Sequence, residues 1–210
     1  MLKPYFEDWG LIDYEQALQK QVDLVEAVSQ DPSHPGFLIF CTHPAVVTTG
    51  RQTKPEDIFA WQGPVVEVSR GGRATYHGPS QLVVYPILNL KFARHSRGPQ
   101  EVRGYLRALE QAIVETLKEF GISAAGKAEA EETGVWVFDK KIASLGIAVK
   151  KWISYHGAAI NLTFDPQAFA GMNPCGFKSD VMTSAEQQLG KPVDVSAFSK
   201  TLKMHLEQLL

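Results

Sequence analysis

The sequence predicts an α+β fold, a mixed central β-sheet flanked by helices. Two observations lead there. Short apolar runs bounded by turn residues recur along the chain, and three longer stretches carry helix signals at their ends or on one face. A third concerns capacity. With 210 residues, 44% of them hydrophobic and 21% charged, the chain can bury a substantial core without disulfides or a structural metal.

The elements follow in order. Residues 12–30 place Ala17, Val22, Leu24, Val25 and Val28 on an amphipathic helix with Asp13 as N-cap. FLIFC (37–41) and AVVTTG (45–50) read as buried strands separated by the turn-forming His43-Pro44. PVVEVSRGG (64–72) is a strand running into a double glycine. QLVVYPILNL (81–90) is a strand whose Pro86 cannot donate to a ladder, which predicts an edge position or a bulge. Residues 99–120 form a long helix, with Pro99 at its start and Gly121 just past its end. GVWVFDKKIASLGIAV (134–149) and WISYHGAAINLTF (152–164) are expected to pair through a turn at Val149-Lys150-Lys151-Trp152. The loop-rich FAGMNPCGFKSDVM follows, and residues 194–209 close the chain as a second amphipathic helix. With no repeat, low-complexity tract or linker, residues 1–210 are expected to form one domain.

Composition narrows the function. A net charge of −2 gives no help to nucleic-acid or membrane binding. No stretch approaches the roughly 20 apolar residues that span a bilayer, and the start resembles neither a signal nor a transit peptide. Only two cysteines, Cys41 and Cys175, are present, so free thiols in a reducing cytoplasm are expected.

Three segments stand out for chemistry. In SRGGRATYHGPSQLVVYP (69–86), Gly71 and Gly72 allow close backbone approach to a ligand, with Arg70, Arg73 and His77 around them. An ordinary hairpin connection is the plain alternative, and the absence of Gly-Lys-Ser/Thr excludes a Walker phosphate loop. In NPCG (173–176), Cys175 sits in a loop between Pro174 and Gly176, whereas Cys41 lies in an apolar strand, where structural cysteines usually do. A nucleophilic cysteine needs a nearby base or cation, and a lone thiol is otherwise inert. DKKIASLGIAV (139–149) offers one. Adjacent strand lysines face opposite ways, so Lys140 or Lys141 points inward if the strand is central, where burial lowers an amine's pKa toward that of a base. Alternation alone does not say which, and both ammonium groups can instead reach water at a strand end. Between Glu67 and Glu101 there is no acidic residue, but Arg70, Arg73, Lys91, Arg94 and Arg97 are present, a basic rim suited to an acidic partner.

Together these segments resemble the lipoyl(octanoyl) transferase family of lipoate biosynthesis. The similarity starts at Asp13-Tyr14-Glu15 and Ala17 and continues through THPAVVTTGR (42–51), RGGRATYHGPSQLVVYP, GVWV, KIASLGI and YHGAAINL to NPCG. It implies the catalytic-domain fold of the biotin/lipoate protein ligases. It also implies a Cys/Lys dyad, with Cys175 carrying an acyl thioester and Lys141 lowering its pKa. Substrate-binding stretches would fall on Arg70, Gly71, Gly72, Arg73, Ala74, Thr75, Tyr76 and His77, on Ser144, Leu145 and Gly146, and on Gly157, Ala158 and Ala159. The implied partners are octanoyl-acyl carrier protein, the lipoyl domains of 2-oxoacid dehydrogenase complexes, and the glycine cleavage H protein. No metal or cofactor is implied, because a thioester donor is already activated. Backbone N–H groups near Gly146 or Gly176 are the expected oxyanion donors. Ser80 departs from the family's frequent glycine, and Cys41 from its frequent acid. Competing readings are an ATP-using lipoate or biotin ligase, a cysteine hydrolase pairing Cys175 with His77 or His156, and a non-catalytic carrier-protein-binding module.

Overall fold

The computed structural model describes residues 3–93, 98–127, 129 and 132–210. The chain opens with strand β1 (Tyr5–Leu11) and helix α1 (Tyr14–Gln30). The Asp13 carboxylate caps α1 by accepting the Glu15 and Gln16 amides at 2.9 and 3.2 Å. The buried face of α1 is Tyr14, Ala17, Gln21, Val25 and Val28, an i, i+3, i+7 stripe. Then come β2 (Phe37–Thr42), β3 (Val46–Thr49), β4 (Val65–Glu67), β5 (Thr75–His77) and β6 (Gln81–Ile87). The long helix α2 (Val102–Glu119) and the two-residue β7 (Ala125–Gly126) follow. After them lie β8 (Gly134–Val137), β9 (Lys140–Lys150), β10 (Ile153–Asn161), the short α3 (Ala185–Leu189) and α4 (Val195–Leu209). Asp194 caps α4 by accepting the Ala197 amide at 2.9 Å.

Seven strands form one mixed sheet in the order β1-β2-β6-β10-β9-β8-β7, with β1 parallel to β2 and every other pair antiparallel. Both faces are covered, which is why the strands read as unbroken apolar runs. Leu38, Phe40, Leu82, Val84, Ala158 and Ile160 pack under α2 and α4. The alternate residues Ile39, Cys41, Val83, Tyr85 and Ala159 pack under α1. A smaller sheet, β4-β3-β5, stands beside this core and carries the Arg70–His77 segment.

Two sequence expectations are corrected. Strand β6 is interior, between β2 and β10, and keeps one register from Ala158↔Val84 to the Asn89↔Ile153 bridge. The ladder is interrupted at Pro86 without a bulge. The Ser154 hydroxyl fills the gap, accepting the Leu88 amide at 3.1 Å and donating to the Pro86 carbonyl at 2.8 Å. The proline is tolerated because a side chain replaces the missing backbone partner. Residues 134–149 form two antiparallel strands, β8 and β9, not one. The chain reverses at Phe138-Asp139, where Phe138 has φ 52° and is 89% exposed. The turn from β9 to β10 is the two-residue Lys151-Trp152, with φ 54° and 66°.

Gly157 lets β10 lie against β6. A Cβ there would collide with the Val84 carbonyl oxygen and come within 2.9 Å of Pro86 Cδ. Gly157→Ala is therefore expected to destabilise the protein by about 1–3 kcal/mol through overpacking. Urea unfolding checks this, and an unchanged midpoint would contradict the packing described.

Candidate active site

Cys175 lies on a single helical turn, Pro174–Gly176, in a left-handed conformation with φ 55° and ψ 20°. Such a backbone is uncommon outside glycine and persists only when its surroundings hold it. The Cys175 amide donates to the Ala74 carbonyl at 2.7 Å, the Gly176 amide to Asn173 at 3.0 Å, and the Phe177 amide to Pro174 at 3.0 Å. The loop is also tied to residues 55–60. Asn173 donates its amide to the Asp57 carbonyl at 2.8 Å and its side-chain amide to Glu56 at 2.9 Å. Asp57, fully buried, accepts the Lys54 amide at 2.9 Å and forms a two-pronged ion pair with Arg73 through Nε at 3.0 Å and the short Nη2 contact. The Arg73 guanidinium lies close against Gly176, where a Cβ would stand 2.8 Å from Nε.

Strand alternation in β9 separates the two lysines. Lys140 donates its ammonium to the Asp180 carbonyl at 2.9 Å near the surface, while Lys141 is 1% exposed. Lys141 Nζ lies 5.4 Å from the Trp136 ring centre and 5.6 Å from that of Phe177, so two aromatic faces flank the ammonium. Gly134, at φ +149°, makes room for it. A Cβ there would overlap Lys141 Cε and stand 3.1 Å from Nζ. The Gly134 amide donates to the buried Glu110 carboxylate of α2 at 3.1 Å, which fixes that wall.

Cys175 and Lys141 line one cavity of about 700 Å³, within the usual range for small-molecule sites. Burial by itself pushes the Cys175 thiol up. The Lys141 ammonium, then Arg70, with hydrogen bonds from Ser144 and Lys141, outweigh it and leave the thiol below its ordinary value. Ser144 Oγ is 3.7 Å from Sγ. Cys41 is the opposite case, 2% exposed, and burial pushes its thiol well up.

The remaining sequence candidates divide. Arg70, Gly71, Gly72, Arg73, Thr75 and His77 line the cavity, and so do Ser144, Leu145, Gly146, Gly157, Ala158 and Ala159. Ala74 and Tyr76 do not, because β5 alternates: they face a separate cluster with Val47, Phe169 and Met172. Arg70 points into the protein. Its Nη1 donates to the Gly71 and Arg73 carbonyls at 3.0 and 2.9 Å, and its Nη2 to Thr48 O and Oγ1 at 2.9 and 2.7 Å. Gly72 has φ +82°, and only the Arg70 side chain, 3.7 Å away, would lie near its Cβ, so conformation rather than crowding demands glycine there. Ser80 is absent from the left-handed residues, so its departure from glycine costs no backbone strain. Gly176 cannot offer its amide to an oxyanion, since Asn173 already accepts it. Asp57, Glu110, Gly134, Trp136 and Phe177 support the site without having been singled out as site residues by the sequence.

The histidines form a separate buried group. Burial holds His156 down to about 3 and, with His43 and Arg70 adding to it, His77 well below its ordinary value. His77 stacks on Tyr14 at 5.3 Å, and His156 Nδ1 is 3.5 Å from the Tyr14 hydroxyl. Cys175 Sγ meets Ser144 and Lys141, whereas His77 Nε2 lies 3.4 Å from Thr48 Oγ1 of β3 and His156 meets Tyr14 of α1. Among the described residues no three His, Cys, Asp or Glu side chains converge as metal ligands.

Comparison with known proteins gives the family and the fold. The family model of the lipoyl protein ligase A/B catalytic domain matches residues 13–207. A protein of Bdellovibrio bacteriovorus named octanoyltransferase is 57% identical over 215 residues, covering 98% of each chain. One of Syntrophobacter fumaroxidans with the same name is 38% identical, covering 99% of this chain and 90% of its own. In fold, the chain is similar to lipoate-protein ligase A bound with ATP, with a TM-score of 0.73 at 15% identity over 99% of this chain and 85% of that one. Biotin protein ligase from Aquifex aeolicus gives 0.55 at 14% identity, over 98% and 68%.

The electrostatics set a pH signature. Alkylation of Cys175 by iodoacetamide is expected to have its midpoint below that of an ordinary, unpaired cysteine thiol. Lys141→Met removes the largest downward influence, so the midpoint rises and the rate at pH 7 falls. Lys140→Met leaves it unchanged. A wild-type midpoint at or above the ordinary value would contradict this account.

Proposed function

Because the chain belongs to the lipoyl protein ligase A/B catalytic domain family, we propose that it is an acyltransferase that moves an octanoyl group from acyl carrier protein, through a thioester on Cys175, to a lysine of lipoyl domains. The observation that carries the mechanism is the meeting of Cys175 and Lys141 in one cavity, with the thiol held below its ordinary value. Proton transfer from Sγ to Lys141 leaves a thiolate beside an ammonium. The thiolate attacks the donor thioester, the carbon–sulfur bond to the pantetheine arm breaks, and that sulfur leaves with the proton held by Lys141. In the second half, the acceptor lysine amine attacks the Cys175 thioester. Its proton passes to Lys141 and on to the released cysteine sulfur. The exchange of one thioester for another is nearly balanced, whereas the final amide is the more stable product and draws the cycle forward.

Two observations support the partners. The structure of a bipartite lipoate protein ligase and its E2 lipoyl domain from Thermoplasma acidophilum shares this fold, with a TM-score of 0.65. That likeness supports lipoyl domains as acceptors; the 2-oxoacid dehydrogenase complexes and the glycine cleavage H protein are what the family resemblance implies. The acid-free stretch between Glu67 and Glu101 supports an acidic carrier protein as donor. Lys91 of this rim is exposed, and Arg94 and Arg97 lie outside the described residues. Among the described residues no helix is long and apolar enough to cross a membrane. The two free thiols support a reducing, cytoplasmic setting.

Intact-mass analysis after mixing with octanoyl carrier protein is expected to show one octanoyl adduct, lost in Cys175→Ala and retained in Cys41→Ala. Full transfer by Cys175→Ala would overturn the mechanism. Changing Lys91, Arg94 and Arg97 together to Glu is expected to slow reaction with octanoyl carrier protein and flatten its salt dependence, while a small octanoyl thioester reacts as before. Equal slowing of both donors would reject the docking rim.

A further inference from the structure

Attack of a thiolate on a thioester carbonyl shifts an electron pair onto oxygen, and a preorganised donor aimed at that oxygen accounts for a large part of the acceleration in acyl transfer. The cysteine loop, the usual place to look for such donors, has none to spare. The amides of Cys175, Gly176 and Phe177 are committed to Ala74, Asn173 and Pro174, and the Gly71 amide to Ile147 at 3.0 Å. Side chains remain. Among the described residues, four buried polar atoms on cavity-lining residues lack a partner: Thr75 Oγ1, Arg70 Nε, His77 Nδ1 and His156 Nε2. An unpaired polar atom in such a place costs free energy unless a ligand or water meets it.

These four are not equivalent. His77 and His156 both lie against Tyr14, the first residue of α1. The Arg70 guanidinium is fixed by its four bonds to Thr48, Gly71 and Arg73, and acts on Cys175 as a standing positive charge. Thr75 directly follows Ala74, whose carbonyl holds the Cys175 amide, and β5 turns Thr75 toward the cavity and Ala74 away from it. Thr75 is 5% exposed, and its pairing with Thr48 in β3 fixes its backbone.

We propose that the Thr75 hydroxyl donates a hydrogen bond to the carbonyl oxygen of the thioester as it becomes an oxyanion, with the Arg70 charge behind it. This rests on the acyl-transfer reading of Cys175. As the new carbon–sulfur bond forms, the carbonyl π pair moves to oxygen and the Thr75 proton stays on Thr75. When the intermediate collapses, the pair returns and the bond to the leaving sulfur breaks. Thr75 is then a catalytic residue that neither gains nor loses a proton.

Two reactions at the same sulfur separate this role from others. Octanoylation by a small thioester passes through an oxyanion. Alkylation by iodoacetamide, a displacement at saturated carbon, does not. Thr75→Val keeps the shape and removes the hydroxyl, and is expected to slow octanoylation at saturating donor by about 10²-fold, the usual cost of one lost oxyanion donor. KM and the alkylation rate should stay near wild type, and Thr75→Ser should restore octanoylation to within a few-fold. Thr75→Ala, which adds no branched methyl, should match Thr75→Val. Wild-type octanoylation by Thr75→Val, or alkylation slowed in the same proportion, overturns the proposal. A wild-type protein that alkylates but never octanoylates refutes the acyl-transfer reading and this inference with it. With normal wild-type octanoylation and a fast Thr75→Val, only the Thr75 role is lost.

Discussion

An amino group buried inside a sheet is the constraint on which the rest of this site depends. Lys141 is 1% exposed, and removing an ammonium from water is costly unless specific partners receive it. The structure supplies them from three directions: the ring faces of Trp136 and Phe177, the gap left by Gly134, and the Cys175 sulfur. Each partner benefits in turn. The same ammonium that needs a counter-charge is the largest influence holding the thiol down against its own burial. The dyad is thus a mutual arrangement, and neither member is well accommodated alone.

The second layer of the design uses arginines that face inward. Arg70 ties Thr48, Gly71 and Arg73 together, and Arg73 clamps Gly176 while pairing with the fully buried Asp57. The glycine-rich loop, the cysteine loop and the turn at residues 55–60 are therefore cross-linked to one another. A bidentate guanidinium suits this work better than an ammonium, since its planar fork fixes direction as well as charge. The left-handed backbone at Cys175 is affordable only within such a frame.

Much of this was legible in the chain. Asp13 announced its helix, apolar runs announced buried strands of a sheet flanked by helices, and the apolar strand around Cys41 set it apart from the loop cysteine. The inward lysine was legible as one of two, and the family resemblance selected Lys141. What stayed hidden depends on long-range pairing. Pro86 looked like an edge signal because the sequence does not show that Ser154, distant in the chain, completes its ladder. The reversal at Phe138-Asp139 carries no glycine or proline, so the apolar pattern ran straight through it. Strand β1 mixes acids with exposed aromatics and, among the described residues, stands at the edge of the sheet, and β7 is too short to leave a pattern. Asp57 has no local signature; its importance lies in meeting Arg73 and Asn173. Alternation in β5 was available to separate Thr75 and His77 from Ala74 and Tyr76, but the neighbouring glycines masked so short a strand.

The unequal pair of thiols bears on survival under oxidative stress. A thiol poised toward thiolate is the first to be taken by peroxide, passing to a sulfenic acid that remains reversible only while another thiol can intercept it. The only other cysteine in the chain, Cys41, is sealed beneath α1 with its proton firmly held. No resolving thiol therefore stands ready within the protein. Rescue of Cys175 must come from small thiols or reductases entering by the mouth that admits substrate, and an acyl group resting on the sulfur would shield it.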